Sequence, residues 1–418
     1  MGPYSNLLTH CRASFDGSSF FSGRTTITLP VGTELLFNGT ADMKGKEPYI
    51  SEPPLIRRGL NRGEHSAHIP TAKDLSRGTH DDTHRNLAVF SGNKTVLVVR
   101  VVVSDGETTP DETLLSDSFF GNGVDPASLA SQYSACSYGK LNFVKAANKL
   151  GANMSISNGV VTVRLPSFSV TKGYTALRNA ITRELNADFD VPHPTSLANH
   201  VIYCLPGQTG IPNPAYANYN SWNQAFNNEW CTSLSLQMHE MGHSLSFGHS
   251  NEKGTTYEDE TGMMGYSYPN KDGPQMCFNG AKSWQTRWYA NKSITIRANG
   301  RNKCFSGDLH GVSDYPAATT VLLRIRNGSG TDYYVNFNAK RGINIGTQEG
   351  ANQVTITSKP RGPSDSYDTS ELIAKLGAGK SYNKIEGYTI NVVSINNDAG
   401  TAQVAVLPTN QERCIEST

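Results

Sequence analysis

Two histidines four residues apart, with a glutamate beside the first, mark the stretch QMHEMGHSLSFGH at 237–249. On a helix, His239 and His243 project from one face, one turn apart. That is the reach needed to hold a single Zn²⁺ through two nitrogens at about 2.0–2.1 Å each. Glu240 is angled to meet a water on such an ion rather than the ion itself. A third candidate ligand, His249, follows six residues after the second. With 11 histidines in 418 residues, composition alone yields H-E-x-x-H in roughly one such chain in a hundred, and a third histidine at one fixed spacing in roughly one in several thousand. An accidental cluster on a solvated helix is therefore disfavoured.

The flanking residues suit a helix: Leu234, Leu236, Met238, Met241 and Leu245 supply apolar positions and no proline interrupts them. Imidazoles buried on it beside a glutamate would be uncompensated polar groups unless something binds them, which favours a metal. Three neutral imidazoles leave the ion its double charge and one open position, where the pKa of a water falls toward about 7. Glu240 would act as general base in attack on a peptide carbonyl and return the proton to the leaving amine, with the metal stabilising the oxyanion. Three histidines suit Cu²⁺ as well as Zn²⁺, so both ions stay open.

Taken as a whole, His239 to His249 resembles the long zinc signature of the metzincin proteases, H-E-x-x-H-x-x-G-x-x-H. One position departs. Ser246 stands where the family has the glycine that ends the helix and turns the chain back toward the metal. A serine can take the left-handed conformation at a cost of about 1–2 kcal/mol, and Gly248 is available to share the turn. Metzincins also place a methionine turn beneath the zinc. TGMMGYSY (261–268) fits it, with Met264 as that methionine and Met263 as the alternative. Tyr266 matches the position where some metzincins carry a tyrosine that helps bind the metal or the transition state.

Three further stretches, SQYSACSYGKLNF (131–143), GHSNEKGTTYEDETGMMGYSY (248–268) and CFNGAKSWQTRWY (277–289), are similar to the gametolysin family, the extracellular lytic proteases of green algae and their relatives. With NFNAKRGINIGTQEG (336–350), the resemblance spans roughly residues 93 to 355. It implies a secreted zinc endopeptidase made as a zymogen, of α+β class, with a metzincin-like catalytic domain built on a mixed twisted sheet and a zinc helix. It also implies extracellular matrix or cell-wall glycoproteins as substrates. Several metzincins are kept inactive by a propeptide cysteine at the metal's open position. Cys11 is the candidate here, with an ordinary disulfide partner or free thiol as the other reading, and Arg57-Arg58 is a candidate activation site. The rival to the whole assignment is a catalytically silent metal-binding wall or matrix protein of the same fold.

The elements that must position these residues divide into three parts. Residues 1–92 read as a propeptide-like segment and linker. TTITLPVGTELLFNG (25–39) gives two short strands about a Val31-Gly32 turn, and the irregularly spaced His65, His68, His80 and His84 suit a solvated linker better than a second metal site. Residues 93–290 read as the catalytic domain. It opens on KTVLVVRVVVS (94–104), an apolar run expected of a strand buried on both faces. Asp125-Pro126 is expected to start a helix through Tyr133 and Cys136. Strands are expected at 140–146, 159–166 and 200–206, a helix at 174–188, a Gly/Pro/Asn-rich connection at 207–228, and a closing helix at 281–289. Residues 291–418 show short alternating runs expected of an antiparallel β-sandwich, with a helical pattern only around Ser370–Leu376.

Bulk properties limit the partners. Charge is balanced, 37 basic against 36 acidic residues, which argues against nucleic acid or an anionic membrane surface and leaves a protein or glycoprotein substrate. No apolar run reaches the length of a membrane span. Seven cysteines without a C-x-x-C pair, and five N-x-S/T sequons, point to an oxidising, secretory compartment. MGPYSNLLTHCRASF lacks a hydrophobic signal core, as expected if the sequence begins inside a longer precursor. Oligomeric state and cysteine pairing are not legible.

Overall fold

The computed structural model describes residues 90–124, 127–211, 213–265, 273–362 and 369–414, together with the backbone of five strands nearer the N-terminus. The chain forms two compact units, Met1–His80 and Asp81–Thr418. In the first, β1 (Arg24–Thr28), β2 (Thr33–Asn38) and β5 (Leu55–Arg58) make a three-stranded antiparallel sheet, and β3 (Ala41–Lys44) pairs with β4 (Glu47–Ile50). The first two are the strands expected about Val31-Gly32.

The second unit is of α+β class. It starts with β6 (Gly92–Val103), the long apolar run, which turns through β7 (Gly106–Glu107) into α1 (Glu112–Phe120) and α2 (Leu129–Ser137). There follow β8 (Leu141–Lys145), the small pair β9 (Lys149–Leu150) and β10 (Ser155–Ile156), β11 (Val160–Leu165), α3 (Tyr174–Asp188), β12 (His200–Leu205), β13 (Ala215–Ala217) and β14 (Asn223–Asn227). The main sheet runs β11-β6-β12-β14-β13, with β7 and β8 also on β6; only the β6–β7 and β13–β14 pairs are antiparallel.

The pattern within β6 explains its composition. Val96 and Val98 face a core shared with α1, α2 and the histidine helix, whereas Leu97, Val99, Val101 and Val103 face Leu177, Ile181 and Leu185 of α3. A parallel strand covered on both faces has no polar side to show.

Three readings change here. α1 was not expected; Asp111 caps it, accepting from the Leu114 amide, and Leu115 and Phe119 bury one face. α2 is opened not by Asp125-Pro126, which lie outside the described residues, but by Ser128, whose side chain forms a reciprocal capping box with Ser131. Residues 207–228 hold β13 and β14 rather than a plain connection, because the sheet edge beside β12 supplies their pairing.

One titrating group in this sheet has a readable effect on stability. His200 opens β12 against the Phe143 ring, 5.8 Å between centroids, with Nδ1 unpartnered. Burial, then the Lys94 charge, pushes its imidazole down to about 4 from an ordinary 6.5. Between those values the unfolded chain binds a proton that the folded state refuses, so stability present above 6.5 is lost as pH falls toward 4. His200→Leu should remove about 2 kcal/mol of the loss between pH 7 and 4.5, read as the variant-minus-wild-type difference in urea unfolding at the two pH values.

After β14 comes α4 (Leu234–Ser244), then β15 (Ser250–Glu252), α5 (Gly280–Thr286) and β16 (Ser293–Arg297). The strands that follow are β17 (Phe305–His310), β18 (Leu322–Arg326), β19 (Thr331–Phe337), β20 (Val354–Pro360), β21 (Ser370–Leu376), β22 (Ser381–Ile385), β23 (Tyr388–Asn396) and β24 (Thr401–Pro408). Two sheets, β15-β21-β20-β19-β18-β16 and β17-β24-β23-β22, share one core containing Ile325, Val335, Ile356, Ile390 and Val404. The first sheet is not purely antiparallel, since β15–β21 and β16–β18 pair in parallel at its two edges. Ser370–Leu376 is a strand and not a helix. Its Leu372, Ile373 and Leu376 have helical spacing, but pairing between β15 and β20 decides. No helix among the described residues is long and apolar enough to cross a membrane.

Candidate metal centre

All eleven residues of α4 are buried, which is why a polar-looking helix can sit in the core. Its N-terminus is tied down by the Cys204–Cys231 disulfide to β12 and by Gln237, whose amide donates to Cys231 O and Ser118 Oγ. Tyr133 of α2 donates its hydroxyl to Met238 O at 2.9 Å. The histidines are thus held by a helix that cannot rotate without breaking buried hydrogen bonds.

The helix stops after Ser244 in a Schellman-type turn. Phe247 N bonds Gly242 O at 2.9 Å, Ser246 N bonds His243 O at 2.8 Å, and Ser246 takes the left-handed φ of 70°. Serine alone makes the reversal expected of glycine, and Gly248 is not in the left-handed region. The turn returns His249 to the helix, and His239, His243 and His249 come together with one ligand nitrogen each within 4.8 Å of the others.

Two backbone carbonyls fix which nitrogens face inward. His239 Nδ1 lies 3.0 Å from Met263 O and His243 Nδ1 lies 2.7 Å from Phe247 O. With Nδ1–H donated to a carbonyl, Nε2 keeps its lone pair, the arrangement that metal-ligating histidines use. His249 Nε2 sits 3.1 Å from His243 Nε2. Two nitrogens on one tetrahedral Zn²⁺ at about 2.0–2.1 Å each would stand about 3.3 Å apart. Burial lowers all three imidazoles, His239 well below its ordinary value, His243 to about 4 and His249 to about 3. They are neutral ligands at neutral pH, and the donor set fits a divalent ion of the zinc or copper type.

Glu240 lies beside this cluster, buried, with the Ala217 amide hydrogen-bonded to its carboxylate and Oε2 buried without a partner. Burial pushes its carboxyl up to about 8. Met264 is fully buried under the helix, where a Cβ built on Gly242 would collide with its sulfur. Met263 contributes its carbonyl to His239, so the two methionines have different tasks. Tyr266 and Cys11 lie outside the described residues.

Two aromatic residues at the mouth were not singled out by sequence. The Tyr257 ring lies tilted against His249 and His239, with centroids 4.1 Å and 5.8 Å away, and Tyr219 meets His243 edge-on at 5.0 Å. They are 39% and 41% exposed, beside His239 and His243, which are buried, and His249, which is half-buried. Burial, then the neighbouring Glu240 charge, raises both phenols, so they remain proton donors. No spacing rule reaches them. The available signal was only a tyrosine in each of two Gly- or Asn-rich connections flanking the helix.

Among the described residues, six cysteines pair as Cys136–Cys277, Cys204–Cys231 and Cys304–Cys414. No curated protein and no solved structure gives a significant match. Residues 106–313 match the family described as gametolysin peptidase M11. That span runs from β7 past α5 and takes in every residue of the histidine cluster, so the chain belongs to the gametolysin peptidases and is a metalloendopeptidase, a hydrolase of peptide bonds.

Proposed function

We propose that the protein is a secreted zinc endopeptidase of the metzincin type, acting on extracellular matrix or cell-wall glycoproteins. The observation that carries this reading is the convergence of three neutral imidazoles beside a buried carboxylate with an unpartnered oxygen. His239, His243 and His249 would hold the ion through their inward nitrogens. When bound, zinc supplies Lewis acidity, lowering the pKa of a water and polarising a peptide carbonyl. Glu240 takes the proton of the attacking water at Oε2 and returns it to the leaving amine nitrogen. Tyr257 and Tyr219, protonated at the mouth, are placed to donate to oxygen that gains charge in the transition state. Met264 gives the cluster a packed floor.

In this reading residues 1–92 are an activation segment with Cys11 as its inhibitory thiol, 93–290 the catalytic domain and 291–418 a C-terminal β domain. The disulfides suit an oxidising compartment.

Tyr257→Phe removes the hydroxyl and keeps the ring, so zinc content and KM should stay near wild type while kcat falls about 10²-fold. The reading as a whole is tested by metal analysis of protein purified without added metal, paired with gelatin digestion with and without chelator. About one zinc per chain, with digestion lost to chelator and restored by zinc, is expected. Copper in its place would identify the copper-dependent variant. Bound metal with no digestion would identify the silent binding protein, and digestion that survives chelation would end the assignment.

A further inference from the structure

The turn that delivers the third histidine is gripped at both ends by the C-terminal six-stranded sheet. At its start, Gln285 of α5 donates Nε2–H to Ser246 O at 2.9 Å, and Lys359 of β20 donates Nζ–H to Gln285 Oε1 at 3.2 Å. All three residues are buried. At its end, Ser370 of β21 donates its amide to His249 O at 3.0 Å, and β15 leaves the turn as an edge strand paired in parallel with β21, Ser250 opposite Ser370. Asn279 locks this corner, its Nδ2 reaching Ser250 Oγ, Asp259 Oδ2 and Ser370 Oγ at 2.7–3.0 Å. Ser250 N donates to Met264 O at 2.7 Å, joining the same corner to the methionine turn.

We propose that Lys359, acting through Gln285, and Ser370 are positioning residues for the metal centre, holding His249 in place to ligate the ion and stabilising the left-handed Ser246 that replaces a turn glycine. The C-terminal sheet is then a working part of the peptidase rather than an appended module. A serine in the left-handed region would otherwise relax toward the ordinary regions of backbone space. A buried carbonyl fixed by a donor that is itself fixed resists that relaxation. The inference rests on the three histidines binding a metal.

The test is zinc affinity of the full chain, measured by competition with a chromophoric chelator, for wild type, Q285E, S246G and S246G/Q285E. Q285E keeps the volume and the Lys359 partner but removes the donor to Ser246 O. It should weaken zinc binding by about 10–100-fold. S246G needs no clamp at that position, so S246G/Q285E should regain most of the lost affinity. K359M, which leaves Gln285 in place but unanchored, should shift affinity in the same direction and serves if Q285E does not fold, as judged by circular dichroism of the metal-free proteins. If wild type binds zinc and Q285E and K359M bind it equally well, the clamp is wrong. A Q285E defect that S246G does not relieve also overturns it. A wild type that binds no zinc overturns the metal reading itself.

Discussion

Replacing Glu240 by glutamine leaves the metal in place and lowers turnover by about 10³–10⁴-fold. The carboxylate is not among the converging ligand nitrogens, and its Oε2 is buried without a partner. An amide of the same shape fills the space but cannot take a proton. The change should not weaken the fold. In the metal-free protein burial raises the Glu240 carboxyl to about 8, so between its ordinary 4.5 and that value the folded state binds a proton that the unfolded chain releases. Stability then falls as pH rises through that window, and Glu240→Gln lacks this slope. Metal-free Glu240→Gln should melt at or above wild type at pH 8. Peptide hydrolysis and metal content on the same preparation check the claim. Activity within tenfold of wild type would place the base elsewhere.

Replacing Cys136 and Cys277 together by alanine should destabilise the folded chain by about 2–5 kcal/mol, the range for removing a native disulfide that closes a long loop. The bridge joins positions 141 residues apart, from α2 to the segment before α5. Its effect should extend to the metal. Cys277 O accepts from Met263 N at 3.0 Å, and Met263 O accepts from His239 Nδ1 at 3.0 Å. Gln132 of α2 also donates to Met276 O. Freed of the bridge, this strand of backbone no longer fixes the His239 ring. Urea unfolding with and without zinc should show both the lower stability and a smaller stabilisation by metal. A double variant as stable as wild type would show that packing alone holds the segment.

What could be read ahead of the structure was local. His239 and His243 are a turn apart on any helix, and α3 and β12 fall where periodicity puts them, within a residue or two. The α4 helix was legible because its neighbours Leu234, Met238 and Met241 repeat at helical spacing. Long-range pairing was not legible. β21 resembles a helix in isolation and becomes a strand because residues 120 positions away pair with it. The same pairing hides the link between the C-terminal sheet and His249, since Ser370 and Lys359 carry no motif. Tyr219 and Tyr257 are brought to the mouth by folded connections rather than by a spacing. Ser246 was visible as a departure from the resembling signature, but the buried Gln285 that supports it was not.

The central claim is that three imidazoles share one zinc ion, and zinc-edge anomalous diffraction from crystals of the full chain grown with zinc tests it most directly. The account predicts a single strong peak about 2.0–2.1 Å from Nε2 of His239, His243 and His249, with Glu240 beyond bonding distance. A peak elsewhere, or an ordered site in which the His249 ring stands several ångströms outside coordinating range, would contradict it.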